Sequence, residues 1–241
     1  MTPKLADVWV YLSATPLLWL TVTLVVYQAA YWLYKRAGFH PLANPVAIAI
    51  AVLVTVLKLT GTPYQTYFAG AQFVHFLLGP ATVALAIPLF AQLDKLRRAW
   101  LPILGGLVAG SLTAIVSAVG IAWALGASPV TLISIAPKSV TTPIAMGIAE
   151  RLGGLPSLTA VLVVTTGIVG AVSAKYVLDA LRIRDHSVRG FSVGVAAHGI
   201  GTARAFQVSE EAGAFAGLGM GLNGLATALI FPLLVWLLAR I

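Results

Sequence analysis

The sequence predicts an all-α integral membrane protein with about six transmembrane helices and two re-entrant, broken-helix hairpins of opposite orientation. Two observations predict this class. Charged residues make up 9% of the 241 residues and hydrophobic residues 59%, with a mean hydropathy of +0.96, whereas soluble proteins carry about 25% charged residues. Apolar stretches long enough to cross a bilayer also recur along the chain. The composition therefore excludes a soluble enzyme and a nucleic-acid-binding protein.

Six stretches have the composition of membrane helices. The first is bounded by aromatic residues that suit the headgroup region, and Lys58 near the end of the shorter second stretch can extend to the surface. Pro80 and Pro88 interrupt the third stretch. The predicted spans are residues 17–34, 45–59, 73–93, 101–125, 157–181 and about 216–238, preceded by an interfacial segment at 3–14. We expect one polytopic domain over residues 1–241, with 1–70 as scaffold and oligomerisation surface and 73–238 as the core.

Two further apolar stretches, near residues 130–151 and 190–211, are broken by proline, glycine, threonine and a basic residue. Such backbone at membrane depth must be buried in protein or line a cavity. Basic clusters follow spans one, three and five, and the positive-inside rule places all of them in the cytoplasm only if the first broken stretch returns to its side of entry. We therefore predict one hairpin entering from outside, one from the cytoplasm, and both termini outside. The clusters are Lys35 and Arg36; Lys95, Arg97 and Arg98; and Arg182, Arg184 and Arg189.

The broken segments also predict an anion site. Thr142 before Pro143 is typical of a helix N-cap, and Thr202 after a glycine turn can cap a second short helix at residues 203–211. Two helix N-termini that face each other near the membrane midplane attract an anion, and Lys138 and Arg204 add full charges. A small carboxylate fits best. The candidate substrate-binding residues are Lys138, Ser139, Thr141, Thr142, His198, Gly199, Gly201, Thr202, Arg204 and Asn223.

Other interpretations stay open for several residues. Lys138 or Arg204 can instead lie in the headgroup layer, and His198 is more often a packed or capping histidine than a proton carrier. Asn223 can face the cavity or bond elsewhere. The carboxylates Glu150, Glu210 and Glu211 are expected at helix ends near water. Catalysis and metal binding have little support, because the chain has no cysteine and its four histidines are scattered.

Five motifs resemble the LrgB/CidB family. They are LGPATVALAIPL at residues 78–89, APKSVTTPIAM at 136–146, GLPSLTA at 154–160, HGIGTARA at 198–205 and GMGLNG at 219–224. The similarity runs from about Phe73 to Pro232, and Ala197 departs from a serine expected in many relatives. Members include bacterial proteins called antiholin-like or murein-hydrolase regulators and the membrane portion of the plastid glycolate/glycerate translocator.

The resemblance implies transport of small 2-hydroxy or 2-keto acids such as glycolate, glycerate or pyruvate. We therefore predict a non-enzymatic carrier of monocarboxylates in the bacterial inner membrane, working by alternating access with the inverted repeats typical of transporters. No cofactor is expected beyond a coupled proton or sodium ion. The expected partners are lipid, a second copy of the chain in a dimer, and an LrgA/CidA-type membrane protein. The alternative is a holin/antiholin-like protein that regulates murein hydrolase activity or export without transport of its own.

Overall fold

All regular structure in the described part of the chain is helical, as the composition predicts. The computed structural model describes residues 16–77, 80, 83, 84 and 86–238. The chain forms two compact units, Met1–Ala84 and Leu85–Ile241. The described helices are α1 Pro16–Arg36, α2 Pro45–Thr60, α3 Tyr64–Phe76, α4 Ala86–Ala91, α5 Leu93–Arg98, α6 Trp100–Ala124, α7 Pro129–Ile135, α8 Thr142–Arg151, α9 Pro156–Ala180, α10 His186–Val208 and α11 Glu210–Leu238, with a 3-10 turn at Pro41–Ala43.

In the first unit, α1 packs against α3 through aromatic and small residues. Trp19 is fully buried, and its ring meets Tyr67 edge-on at 5.8 Å. Gly70 lies so close to α1 that a Cβ atom there would be 2.1 Å from the Pro16 carbonyl oxygen. The Asn44 side chain caps α2 by accepting from two backbone N–H groups. α1 and α2 match the predicted helical ranges 17–34 and 45–59, while the predicted interfacial segment at 3–14 lies outside the described residues.

The predicted third span, residues 73–93, is not one continuous helix in the described residues. α3 begins at Tyr64, after Pro63 and well before the predicted start, and ends at Phe76. Residues 86–98 form the short helices α4 and α5, which are separated at Gln92. The polar residues of α3, such as Gln65 and Gln72, concealed this helix in the sequence. The structure describes Pro80, but the other residues of the LGPAT motif fall outside the described residues.

Long apolar helices occur in both units. Four helical segments of the described chain are long and apolar enough to cross a membrane: Pro16–Arg36, Trp100–Ala124, Pro156–Ala180 and Glu210–Leu233. The last begins earlier than predicted, because the Ser209 hydroxyl accepts from the backbone N–H of Ala212 and starts the helix there. Glu210 and Glu211 therefore open α11 and do not end the second broken segment, which corrects the sequence-based assignment.

The first broken segment leaves and returns at one end of the unit. α7 and α8 are joined by residues 136–141, and Thr141, one residue before the predicted Thr142, is the N-cap of α8, although its side chain makes no capping bond. Near the end of α7, the Ser134 hydroxyl accepts from the backbone N–H of Leu155 at 2.8 Å, and the Ser134 carbonyl oxygen accepts from the Thr159 hydroxyl at 3.0 Å. These bonds hold the end of α7 beside the start of α9. Val140 packs against Val163, seven residues further into α9, so residues 136–141 form the inner tip.

The second broken segment reverses direction at His198. This residue has φ 41° and ψ −135°, inside the range assigned to α10, in a region that non-glycine residues rarely occupy. A Cβ atom on Gly201 would lie 3.0 Å from the Val193 carbonyl oxygen, whereas eight residues of straight helix span about 12 Å. The chain thus folds back, and α10 consists of a first arm (186–197) and a second arm (199–208).

This turn differs from the predicted one. The predicted turn at Gly199 and Gly201 is displaced to His198, and Gly201 instead allows the two arms to approach closely. Thr202 does not cap a helix N-terminus, because its hydroxyl donates to the His198 carbonyl oxygen at 2.8 Å from inside the second arm.

Glycine contacts fix the direction of the first arm. Cβ atoms on Gly190 and Gly194 would lie 2.0 Å from the carbonyl oxygens of Ala212 and Ala216 in α11. These pairs advance together along the chain, so the first arm runs parallel to α11. On α9, Gly167 meets the His198 ring and Gly170 meets Ala197, so α9 runs in the opposite direction. Because these glycines carry no side chain, the hairpin fits between α9 and α11.

Candidate functional site

A buried amide links the two broken segments. The Asn223 side chain of α11, 1% exposed, donates to the Ser139 carbonyl oxygen of the first tip at 3.2 Å and to the Val195 carbonyl oxygen of the first arm at 2.9 Å. Its oxygen accepts from the Ser111 hydroxyl of α6 at 2.5 Å. Backbone carbonyls near helix breaks lack their usual partners, and Asn223 satisfies one from each segment.

The second tip is held by a neighbouring contact. The His198 Nε2 atom lies 2.9 Å from the Val163 carbonyl oxygen of α9. Val163 packs in turn against Val140 and Ala145 of the first segment. His198 is 4% exposed, which favours the packed-histidine interpretation over a solvent-connected proton carrier. Both tips therefore meet around one stretch of α9.

This meeting point lies far from the helix ends. Ser111 is near the middle of the 25-residue α6, and Asn223 is near the middle of the 29-residue α11. Each is therefore about 17–20 Å from the nearer end of its helix.

A cavity of about 500 Å³ lies beside the first tip. Lys138 and Ser139 line it together with Thr165 and Thr166 of α9 and Ser192 of the first arm. The Lys138 ammonium is half-buried and donates to the Ser139 hydroxyl at 3.3 Å. In the described residues, Lys138 is the one charged side chain that lines this cavity. We call it the central cavity; one ammonium and several hydroxyls can hold a small anion that also carries a hydroxyl or keto group.

Arg204 lines a different cavity, of about 410 Å³, together with Lys175, Arg184 and Arg189. Its guanidinium donates to the Gln207 side chain at 3.3 Å. Because the chain turns at His198, Arg204 lies six residues down the second arm, about 9 Å from the tip. The structure therefore separates the two cations that the sequence analysis placed at one anion, and we call this second space the basic cavity.

The remaining predicted residues take several positions. Thr141 and Thr142 are half-buried at the start of α8, and Gly199 is half-buried next to the second tip. Gly201 and Thr202 are buried inside the hairpin and serve its packing. The structure thus brings Lys138 and Ser139 to one cavity, with Asn223 bonded behind it. It does not bring Arg204 or Thr202 there.

Three lining residues were missed by the sequence analysis. Thr165 and Thr166 form an adjacent polar pair inside the fifth apolar stretch, and Ser192 interrupts the first arm. For Thr165 and Thr166, the sequence signal was a pair of adjacent polar residues within an apolar span. Ser192 carried no such signal, because isolated serines also bond to their own helix, as its hydroxyl does to the Val188 carbonyl oxygen.

An ion-pair cluster joins the beginnings of two helices in the second unit. Lys95 of α5 lies 3.2 Å from the Asp185 carboxylate and 2.5 Å from the Glu211 carboxylate. Asp185 caps the first arm, and Glu211 lies in the first turn of α11. Hydrogen bonds from the Ser187 hydroxyl and the Val188 N–H lower the pKa of Asp185 from 3.8 to about 2, and the Glu211 carboxylate raises the pKa of Lys95. Two of the three basic clusters therefore lie at the same end of this unit.

The comparisons with known proteins cover nearly the whole sequence. The LrgB-like family model matches residues 23–237. The uncharacterized protein YxaC of Bacillus subtilis (strain 168) is 37% identical over 216 residues, covering 90% of this chain and 94% of that protein. The antiholin-like protein LrgB of Bacillus mycoides (strain KBAB4) is 29% identical over 221 residues, covering 92% of this chain and 96% of that protein. No solved structure matches the chain.

Four apolar membrane-spanning helices and these bacterial relatives identify an integral protein of the bacterial inner membrane. The resemblance that the five motifs indicated is confirmed: the chain belongs to the LrgB-like family.

Proposed function

We propose that this chain is an antiholin-like membrane protein that regulates murein hydrolase activity or export. The observation that carries this proposal is the 29% identity to an antiholin-like protein over 92% of this chain and 96% of that protein. An alignment of that extent includes both broken segments and the helices that hold them. The name of that relative supports regulation better than it supports transport.

We propose as a second candidate function that the chain carries small organic monocarboxylates, such as glycolate, glycerate or pyruvate, by alternating access. The central cavity favours this function, because it combines the half-buried Lys138 ammonium with the hydroxyls of Ser139, Thr165 and Thr166. An unpaired cation in a poorly screened site attracts an anion. A coupled proton or sodium ion belongs to this second proposal. Arg204 does not contact the bound carboxylate in it, because Arg204 lies in the basic cavity.

We infer that both broken segments are re-entrant and that about six helices cross the membrane. The reversal at His198 and the bonds of Ser134 to the start of α9 support two segments that each return to their side of entry. The pairing of Lys95 with Asp185 supports a shared side for the second and third basic clusters. We further propose that the chain forms dimers through residues 1–70, by analogy with other hairpin-bearing carriers, and that it associates with an LrgA/CidA-type membrane partner, as the family resemblance implies.

Two assays on one set of variants separate the candidate functions. In cells that lack their own homologue, the rate of autolysis is followed as loss of turbidity; in proteoliposomes, uptake of labelled pyruvate and glycolate is measured. The variants are Lys138→Gln and, as a matched control, Lys58→Gln, which removes an exposed lysine from α2. Regulation predicts that the wild type and both variants change autolysis equally, without saturable uptake.

Carriage predicts a different result. Saturable uptake should occur in the wild type and in Lys58→Gln, and Lys138→Gln should weaken it about 10- to 100-fold, as expected for the loss of a charge-assisted hydrogen bond. The first proposal would be overturned if expression of the wild-type protein left the rate of autolysis unchanged. Uptake that is absent, or equal in Lys138→Gln, would overturn the second. Size-exclusion profiles of the purified variants verify that they are folded.

A further inference from the structure

The basic cavity carries a surplus of positive charge. Among the described residues, four cationic side chains and His186 line it, against the one carboxylate of Asp179. Arg189 pairs with that carboxylate at 2.7 Å and donates to the Ile183 carbonyl oxygen at 2.8 Å. In the described part of the chain, the side chains of Lys175 and Arg184 form no ion pair or hydrogen bond. Two cations at the cavity wall are therefore available to an external anion.

The position of the cavity matches the headgroup layer of a membrane. Lys175 lies five residues before the end of α9, about 8 Å along the helix, and Arg189 lies near the start of the first arm. The polar interfacial layer on each side of the hydrocarbon core is about 5–8 Å thick. With α9 crossing the hydrocarbon core, as its length and composition indicate, the charged wall lies at the depth of lipid phosphates.

Apolar side chains at the same end provide the second half of a lipid site. Val208 lines the cavity and is 51% exposed. Leu181 and Val188, which flank the lining residues in sequence, are 64% and 47% exposed. The inner wall is formed by small and aliphatic residues such as Ala171, Ala174 and Leu178. A free inorganic anion would use only the charges, whereas a phospholipid would also cover the apolar rim.

We propose that the basic cavity binds the phosphate headgroup of an anionic phospholipid, with Lys175 and Arg184 as its charge partners and the acyl chains along the exposed apolar rim. Basic pockets between membrane helices are recognised sites for such headgroups, and the volume of about 410 Å³ is in the range of small-ligand sites. The site is separate from the central cavity, so it stands whichever of the two candidate functions holds.

The test is lipid binding to the purified full-length protein, measured by native mass spectrometry in detergent with equal amounts of phosphatidylglycerol and phosphatidylcholine. The double variant Lys175→Gln/Arg184→Gln is compared with Arg97→Gln/Arg98→Gln, which removes two exposed cations that line none of the described cavities. We expect the preference for phosphatidylglycerol to fall about 25-fold in the first variant, since each cation near a membrane surface contributes about fivefold. The second variant should keep it.

Several results would overturn the proposal. One is an equal loss in both double variants, which would show that bulk surface charge attracts the lipid. Another is a preference that survives in Lys175→Gln/Arg184→Gln. Inorganic phosphate is added in a separate series: if it displaces phosphatidylglycerol at millimolar concentration with the same dependence on Lys175 and Arg184, the site serves a free anion and not a lipid. Thermal unfolding in phosphatidylcholine verifies folding, and the two single variants replace the double variant if it unfolds.

Discussion

At the scale of single residues, a few buried polar side chains form hydrogen bonds with backbone groups that the helix breaks would otherwise leave without partners. In a lipid environment, an unpaired backbone carbonyl costs several kcal/mol. Asn223 bonds one carbonyl from each broken segment, and Ser134 bonds the returning chain of the first. His198 occupies a strained backbone conformation, and its ring bond to Val163 fixes the turn. These side chains support the site more directly than the charged residues do.

Replacing Asn223 with leucine should therefore destabilise the second unit. Leucine has a similar size but leaves the Ser139 and Val195 carbonyls and the Ser111 hydroxyl without their partner. We expect the free energy of unfolding to fall by about 1–3 kcal/mol, measured by denaturant titration in detergent. The control is Thr227→Val on the same helix, because the Thr227 hydroxyl contacts Asn223 only at 3.5 Å. Equal stability of the two variants would show that the amide does not hold the segments.

At the scale of elements, close helix contacts and one ion-pair cluster place the second hairpin. Gly190 and Gly194 let the first arm lie directly on the backbone of α11, where any larger residue would collide with a carbonyl oxygen. Lys95 then joins the beginnings of these two parallel helices through Asp185 and Glu211. Carboxylates at helix N-termini also interact favourably with the helix dipole. The second hairpin is thus held at its open end by these ion pairs as well as at its tip.

This cluster predicts a defined dependence of stability on pH. Because the folded-state pKa of Asp185 is lowered from 3.8 to about 2, its carboxylate stabilises the folded protein above pH about 4, and this contribution is lost as the pH falls through about 2. The pKa of Lys95 is raised above 10.5, so its contribution is complete below that pH and is lost as the pH rises through the raised value. The cluster is therefore fully effective at neutral pH.

The variant Asp185→Ala should lower the free energy of unfolding by about 1 kcal/mol near neutral pH, the usual contribution of a helix N-cap. It should also flatten the decline in stability between pH 4 and pH 2, measured as the thermal unfolding midpoint in detergent. The control is Asp94→Ala, an exposed carboxylate on α5. A decline in Asp185→Ala as steep as in the wild type would refute the assignment.

At the scale of the whole molecule, helix direction determines which loops share a side. In the second unit, α6, the first arm and α11 run in one direction, as the contacts of Gly106 with Phe191 and of Gly110 with Val195 require, and α9 runs in the other. In the re-entrant arrangement proposed above, each broken segment begins and ends at the same end of the frame. Such paired segments are typical of alternating-access carriers, but the same frame also suits a regulatory membrane protein.

Cysteine labelling tests this arrangement, because the chain has no cysteine of its own. Leu125→Cys and Arg151→Cys flank the first segment, and Arg184→Cys and Glu210→Cys flank the second; all four positions are exposed. In intact cells, a membrane-impermeant thiol reagent should modify both members of the first pair and neither member of the second. Permeabilised cells should show modification of all four.

A pair whose two members react from opposite sides would contradict the re-entrant arrangement of that segment. Reaction of the second pair alone in intact cells would invert the orientation but keep the hairpins.

Composition and local pattern are sufficient to predict the membrane class, the approximate ranges of α1, α2, α6 and α9, the two broken segments and the family. Breaks at Pro143 and around Gly199 are visible as interruptions in apolar sequence. Tertiary structure decided where each side chain near a break lies. Arg204 was expected beside Lys138, but the reversal at His198 carries it to another cavity. A strained dihedral at a histidine, and the partner of an amide such as Asn223, depend on helices distant in sequence, so no local pattern specifies them.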